Sequence, residues 1–299
     1  MPNVVDVSQT CLVMLLETFH IDIRINRWYN FAILTYKGGT MSATPDQTLR
    51  FTIDFNSVLM NHQMPPEEKI PKLLQLQTRL DELPNEQSKV LFKLQSNLSI
   101  GQCYVDAHQK YNLTNVVEEC KILLHKLEEY DFAHQPQKVW GYLAERFQSY
   151  YGELIDLCQA KNHQRDIAYC HQEVARIWDR VGNESNCIRA FVLSNVALSK
   201  VPGKFALTQE QLVEQFPDEM EYIQQIFSTR TLKNDPIEQT EEYIAVYDDA
   251  ERIIQGLIEQ QGRMLRTPDQ YWNIKQEVLE LHFGITWRSP RVMNPGVRF

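Results

Sequence analysis

Cys158, His163, Cys170 and His171 are the residues of this chain whose types come closest to a set of metal ligands. A structural zinc site needs ligand pairs a few residues apart on each side of a loop. The spacings Cys158-x4-His163 and Cys170-His171 fit that poorly, because adjacent residues on a helix project about 100° apart. Cys170 is therefore expected in the core and His171 on a helix face, with no metal or other cofactor held. Adjacent carboxylates recur at Glu118-Glu119, Glu128-Glu129, Glu241-Glu242 and Asp248-Asp249. Paired carboxylates can act as general acid and base, but side by side on a helix they form a solvated face. The phosphate-cradling G-x-x-x-x-G-K-[ST] is absent, as are G-x-G-x-x-G, H-E-x-x-H and G-x-S-x-G. "KGGT" at 37–40 lacks the strand–loop–helix context of a phosphate loop. Tyr150-Tyr151 and Tyr271-Trp272 read as packing pairs. No residue is assigned a catalytic role.

Composition narrows the classes further. At 43% hydrophobic the 299 residues can bury a sizeable core, so the chain folds. Eleven glycines and thirteen prolines are few, which favours helices over an all-β fold. A net charge of −9 without a Lys/Arg block argues against nucleic acid as a partner. None of the six cysteines forms C-x-x-C, and they read as buried, reduced thiols of a cytoplasmic protein. No run approaches the roughly 18 apolar residues of a membrane span: "CLVMLLETF" stops at Glu17 and lacks a basic leader. No membrane partner is expected, and the sequons at Asn97, Asn112 and Asn183 carry no meaning in that setting.

The elements divide unevenly. In residues 1–40, Ile21, Ile23 and Ile25 alternate with polar neighbours at a strand period. This segment is either a strand-bearing extension or sequence upstream of a start at Met41, and poor order is expected there. Residues 41–66 read as a linker. From 67 to 283 helical periodicity dominates: Leu73, Leu76 and Leu80; Leu91, Leu94, Leu98 and Val105; then Val117, Cys120, Leu124 and Leu127. Thr208 with Gln211, and Thr267-Pro268 with Gln270, have the form of capping boxes. Asp235-Pro236 with Glu238 predicts a helix over about 236–263, and a second runs over 268–283 to a stop at Gly284. Two prolines and a glycine then exclude another helix, leaving 284–299 as an extended strap docked by Trp287 and Phe299.

Within the helical region, His171-x2-Val174-Ala175-x2-Trp178 is followed nine residues later by Cys187-x3-Phe191, with Gly182 between. Small residues at Ala175 and Cys187 permit close helix approach, and Trp178 and Phe191 fill the space beyond. This resembles the tetratricopeptide pattern W-x2-L-G-x2-Y…A-x3-F of about 34 residues. Asn97-x2-Ile100-Gly101-x2-Tyr104 also resembles its first helix, although the second helix then begins late, at Val116. A third match starts at Trp140-Gly141, where one long helix over 137–160 is the alternative. The resemblance covers about residues 88–202 and implies an all-α, antiparallel helix-hairpin array, an α-solenoid with an extended C-terminal tail.

It also implies a scaffold or adaptor that binds a protein or peptide along a groove lined by first-helix residues. At those positions stand Tyr169, Gln172, Arg176, Asp179 and Arg180. Arg176 and Arg180, one turn apart on one face, could grip a partner's carboxylate or acidic side chain bidentately; the alternative is that they pair with Glu173 or Asp179. A helical enzyme whose pocket joins distant residues, and a peptide-responsive regulator, stay open as rival functions.

Overall fold

The computed structural model describes residues 45–83, 85–229, 232–260 and 267–297. The strand expected within 1–40, and Phe299, lie outside the described residues. The chain divides into two compact units, residues 1–46 and 47–299, and of the described residues only Pro45 and Asp46 fall in the first.

Twelve helices are described: α1 (Pro45–Leu59), α2 (Pro66–Gln77), α3 (Glu86–Asp106), α4 (Leu113–His134), α5 (Trp140–Ala160), α6 (Gln164–Val181), α7 (Glu184–Leu198), α8 (Gln209–Gln215), α9 (Met220–Ser228), α10 (Glu241–Gln260), α11 (Pro268–Phe283) and α12 (Pro290–Met293). Among the described residues there is no strand, and α2 to α7 pack each on the next as an all-α antiparallel array. Residues 41–66 are not a linker, because α1 lies within them. Phe51, Phe55 and Val58, spaced four and three residues apart, place one stripe of α1 against Ile70, Leu73 and Leu76 of α2 and Ile100 of α3.

Tight turns keep neighbours antiparallel. Gly182 closes α6 in the left-handed conformation (φ +77°), so α7 starts immediately, capped by the Asn183 side chain accepting from the Asn186 amide. Gly101 serves a different purpose. A Cβ there would meet Leu157 Cδ1 at 2.5 Å and Val116 Cγ1 at 3.3 Å, so its missing side chain lets α3 approach α5 and α4. Helix α5 is continuous from Trp140 to Ala160, which settles the reading of 137–160 in favour of one long helix.

The C-terminal part departs from expectation in three places. The helix expected over about 236–263 is preceded by a 3-10 turn (Pro236–Gln239), and α10 starts only after Thr240, while 261–263 lie outside the described residues. Thr267 leads into α11 without a side-chain capping bond, whereas Thr208 and Gln211 form the full box. The strap is not wholly extended, because Ser289 caps α12 by accepting from the Val292 amide, with Pro290 at the first helical position. Gly284 does stop α11 (φ +68°), and Trp287 is buried among Tyr243, Tyr247 and Leu279.

Candidate functional site

Helices α4 and α6 both pack antiparallel on α5 and therefore run parallel to each other. Their facing side chains meet in register: Lys121 with Asp166 and Tyr169, Glu128 with Arg176, and Phe132 with Arg180. Residue numbers rise together along both helices, so these contacts form successive rungs of one strip.

The first rung is charged. Lys121 Nζ donates to Asp166 Oδ1 and to Glu118 Oε1, both at 2.7 Å, and lies 5.3 Å from the centre of the Tyr169 ring. Burial works to raise the Asp166 pKa, but hydrogen bonds from His163 and Lys121 outweigh it and hold the carboxyl down at about 2. At the middle rung Arg176 grips Glu128 bidentately, with Nη1–Oε1 at 2.9 Å and Nη2–Oε2 at 2.5 Å, and it also donates from Nε and Nη2 to Glu173. The Glu128 side chain is 3% exposed and that of Arg176 44%. Hydrogen bonds to Glu128 push the guanidinium pKa still higher.

At the last rung the Arg180 guanidinium lies over the Phe132 ring (4.4 Å) and the Trp140 ring (5.4 Å). Its contact to Glu128 is long, Nη1–Oε1 at 3.6 Å, and its side chain is 39% exposed. Phe132 and Trp140 are held by neighbours: the two rings meet edge-on, and Trp140 Nε1 donates to the Gln135 carbonyl. Beneath the strip, the Tyr151 hydroxyl of α5 is buried without a hydrogen-bond partner. Burial pushes that phenol's pKa upward, with Glu173 and Glu128 adding to the shift.

The five residues singled out from sequence thus share α6, with Gln172, Arg176, Asp179 and Arg180 exposed and Tyr169 half-buried. Arg176 does pair with Glu173, yet its closest partner is Glu128. That residue stood in the sequence as half of a solvated acidic pair, and it is buried. The only sequence signal for it was its position one turn after Leu124 on the apolar face of α4. His171, expected on a helix face, lies half-buried on α6, and burial lowers its pKa to about 4. Of the described cysteines, four are core residues and Cys187 is half-buried. Cys103, Cys120, Cys158 and Cys170 are buried and free, and a hydrogen bond with Cys170, together with burial, pushes the Cys158 thiol's pKa upward. Among the described residues no group of histidine, cysteine or acidic side chains is arranged to hold a metal, and no helix is long and apolar enough to cross a membrane. No family model, no curated protein and no solved structure matches this chain.

Proposed function

We propose that the helical array is a tetratricopeptide-like cytoplasmic scaffold that binds a protein or peptide partner without catalysing a reaction. The α4–α6 strip is its contact surface, and Arg180 meets an acidic side chain or terminal carboxylate of the partner. The observation that carries this reading is the unequal state of the two arginines. Arg176 has both faces of its fork filled by Glu128 and Glu173. Arg180 keeps a half-exposed guanidinium, stacked on two rings and only loosely paired. A planar cation held against aromatic rings has little side-chain freedom left to lose, which favours bidentate capture of a carboxylate.

The test is capture of partners from cell extract on the full chain and on its Arg180→Glu variant, followed by anisotropy titration with peptides from the captured protein. An acidic peptide is expected to bind the variant about tenfold or more weakly, a loss of ~1.4 kcal/mol. Its amide-substituted counterpart should bind both proteins alike. Equal affinity of the acidic peptide for parent and variant would remove Arg180 from the site.

A further inference from the structure

Lys161, Asn162, His163, Gln164 and Arg165 make the turn from α5 into α6, and every one of them touches the C-terminal segment. Lys161 Nζ donates to Asp248 Oδ1 at 2.9 Å and sits 4.9 Å from the Tyr247 ring centre. Asn162 Nδ2 donates to Glu238 Oε2 at 2.6 Å, and its carbonyl accepts from Gln239 Nε2 at 2.7 Å. The His163 ring meets Tyr247 edge-on at 5.7 Å. The Gln164 amide donates to Gln239 Oε1 at 3.0 Å, and Arg165 Nη1 to Glu241 Oε1 at 3.3 Å. At the neighbouring turn, the Thr114 hydroxyl also donates to Asp248, and the Arg252 guanidinium lies 5.5 Å from the Tyr111 ring. These contacts are hydrogen bonds, ion pairs and ring contacts of polar groups.

The buried apolar cluster of the C-terminal segment is its own. Its buried core runs from Tyr243 to Trp287, and the half-buried hydrophobics packed on that core lie between Ile237 and Phe283, so the cluster draws no residue from α1–α9. Its buried Lys275 ammonium is also balanced internally. Lys275 Nζ donates to Glu251 Oε1 at 3.1 Å, the Tyr271 hydroxyl donates to the same carboxylate, and the rings of Tyr243, Tyr247, Tyr271 and Trp287 surround the ammonium at 5.2–5.8 Å. The end of the chain is fastened to the same segment. Asp235 accepts from the Arg288 amide and guanidinium, and the Asn294 side chain bonds both the amide and the carbonyl of Lys233.

We propose that the described residues of 235–260 and 267–293 form a module that disengages from the helical array as a unit, with the 161–165 turn as its berth. Polar groups parted at such a joint recover hydrogen bonds from water, whereas parting an apolar core recovers nothing. The joint is therefore a plane along which the 47–299 unit can part without opening the cluster of apolar residues in its C-terminal segment. Opening there bares Lys161, whose side chain is 2% exposed when docked, together with the Asn162 carbonyl and the Gln164 amide.

The experiment is hydrogen–deuterium exchange of the full chain by mass spectrometry, on the parent, on Asp248→Asn and on Gln239→Ala. In the parent, α10 and α11 should exchange as one group with protection at least tenfold below that of α4–α6. Asp248→Asn leaves the Lys161 ammonium without its carboxylate and should lower α10–α11 protection by roughly ten- to a hundredfold. Gln239→Ala, which leaves charges unaltered, should act in the same direction more weakly. In both variants the protection of α4–α6 should stay within about twofold of the parent's. Joint loss of protection over α4–α6 and α10–α11, or equal protection of both in the parent, would show a single cooperative unit and overturn the proposal.

Discussion

Removing Arg176 and removing Glu128 should have unequal effects, although the two form one ion pair. Arg176→Ala leaves a carboxylate that is 3% exposed, with Arg180 at 3.6 Å as its remaining cationic contact. Breaking a fully buried pair in this sense costs roughly 3–5 kcal/mol. Arg176 is 44% exposed and Arg180 stays in place, which discounts the figure to about 2–3 kcal/mol. Glu128→Gln instead keeps the side chain's shape and leaves two half-exposed guanidinium groups that water can reach, a loss of about 1 kcal/mol. Arg176→Lys, with the charge but not the fork, should fall between them. Urea denaturation of the full chain at neutral pH, followed by far-UV circular dichroism at a shared denaturant slope, measures all three. The expected order is Arg176→Ala, Arg176→Lys, Glu128→Gln, with at least ~1 kcal/mol between the extremes. Equal losses in the outer two, or an Arg176→Ala protein within ~0.5 kcal/mol of the parent, would refute the view that Glu128 is a desolvated charge held by Arg176. The same arithmetic makes Arg180, not Arg176, the residue to change when probing partner binding.

Three further outcomes are expected. With the Asp166 carboxyl at about 2 instead of 3.8, its depressed pKa contributes ~2 kcal/mol that is present above the ordinary value and lost as pH falls through the folded one. Asp166→Asn should therefore be less stable by that amount at neutral pH, and the gap in urea midpoint should close between about pH 4 and pH 2; a gap that stays constant would contradict the assignment. The His171 imidazole, lowered by burial to about 4, should titrate there by NMR in the folded protein. Stability attributable to it is full above about pH 6.5 and declines as pH falls toward 4, and a titration midpoint at the ordinary histidine value would refute the burial argument. Gly101→Val should cost ~2–3 kcal/mol by forcing Leu157 and Val116 aside; Leu157→Ala in the same chain should relieve part of it, and simple additivity of the two losses would show that they do not press on one another.

Sequence patterning made the array visible because helical periodicity is local. The stripes on α2, α3 and α4, the stops at Gly182 and Gly284, and the Thr208 box all depend on residues within two turns of each other. Helix α1 is equally legible in Phe51, Phe55 and Val58, but the polar, proline-containing stretch that follows gives the region the composition of a linker. What stayed hidden depends on partners far along the chain. Glu128 and Arg176 lie 48 residues apart, and only the place of Glu128 one turn after Leu124 sets it apart from the exposed Glu129. Likewise "KNHQR" at 161–165 has the composition of a solvated loop. Only the docking of the 3-10 turn at Pro236–Gln239 and of α10 turns these five residues into an interface.

The four rings and the carboxylate around Lys275 have a further use. Its side chain is 10% exposed and its Nζ is hydrogen-bonded to Glu251, so an amine-reactive acyl donor in solvent cannot reach the nitrogen lone pair while the rings are closed. Exposed Lys72 and Lys126 present no such barrier. In an isotope-coded acylation time course the exposed lysines set the intrinsic reaction rate. Any label arriving at Lys275 then counts the openings of the aromatic cage around it. The chain thus carries an internal clock for that one event, readable without attaching a probe.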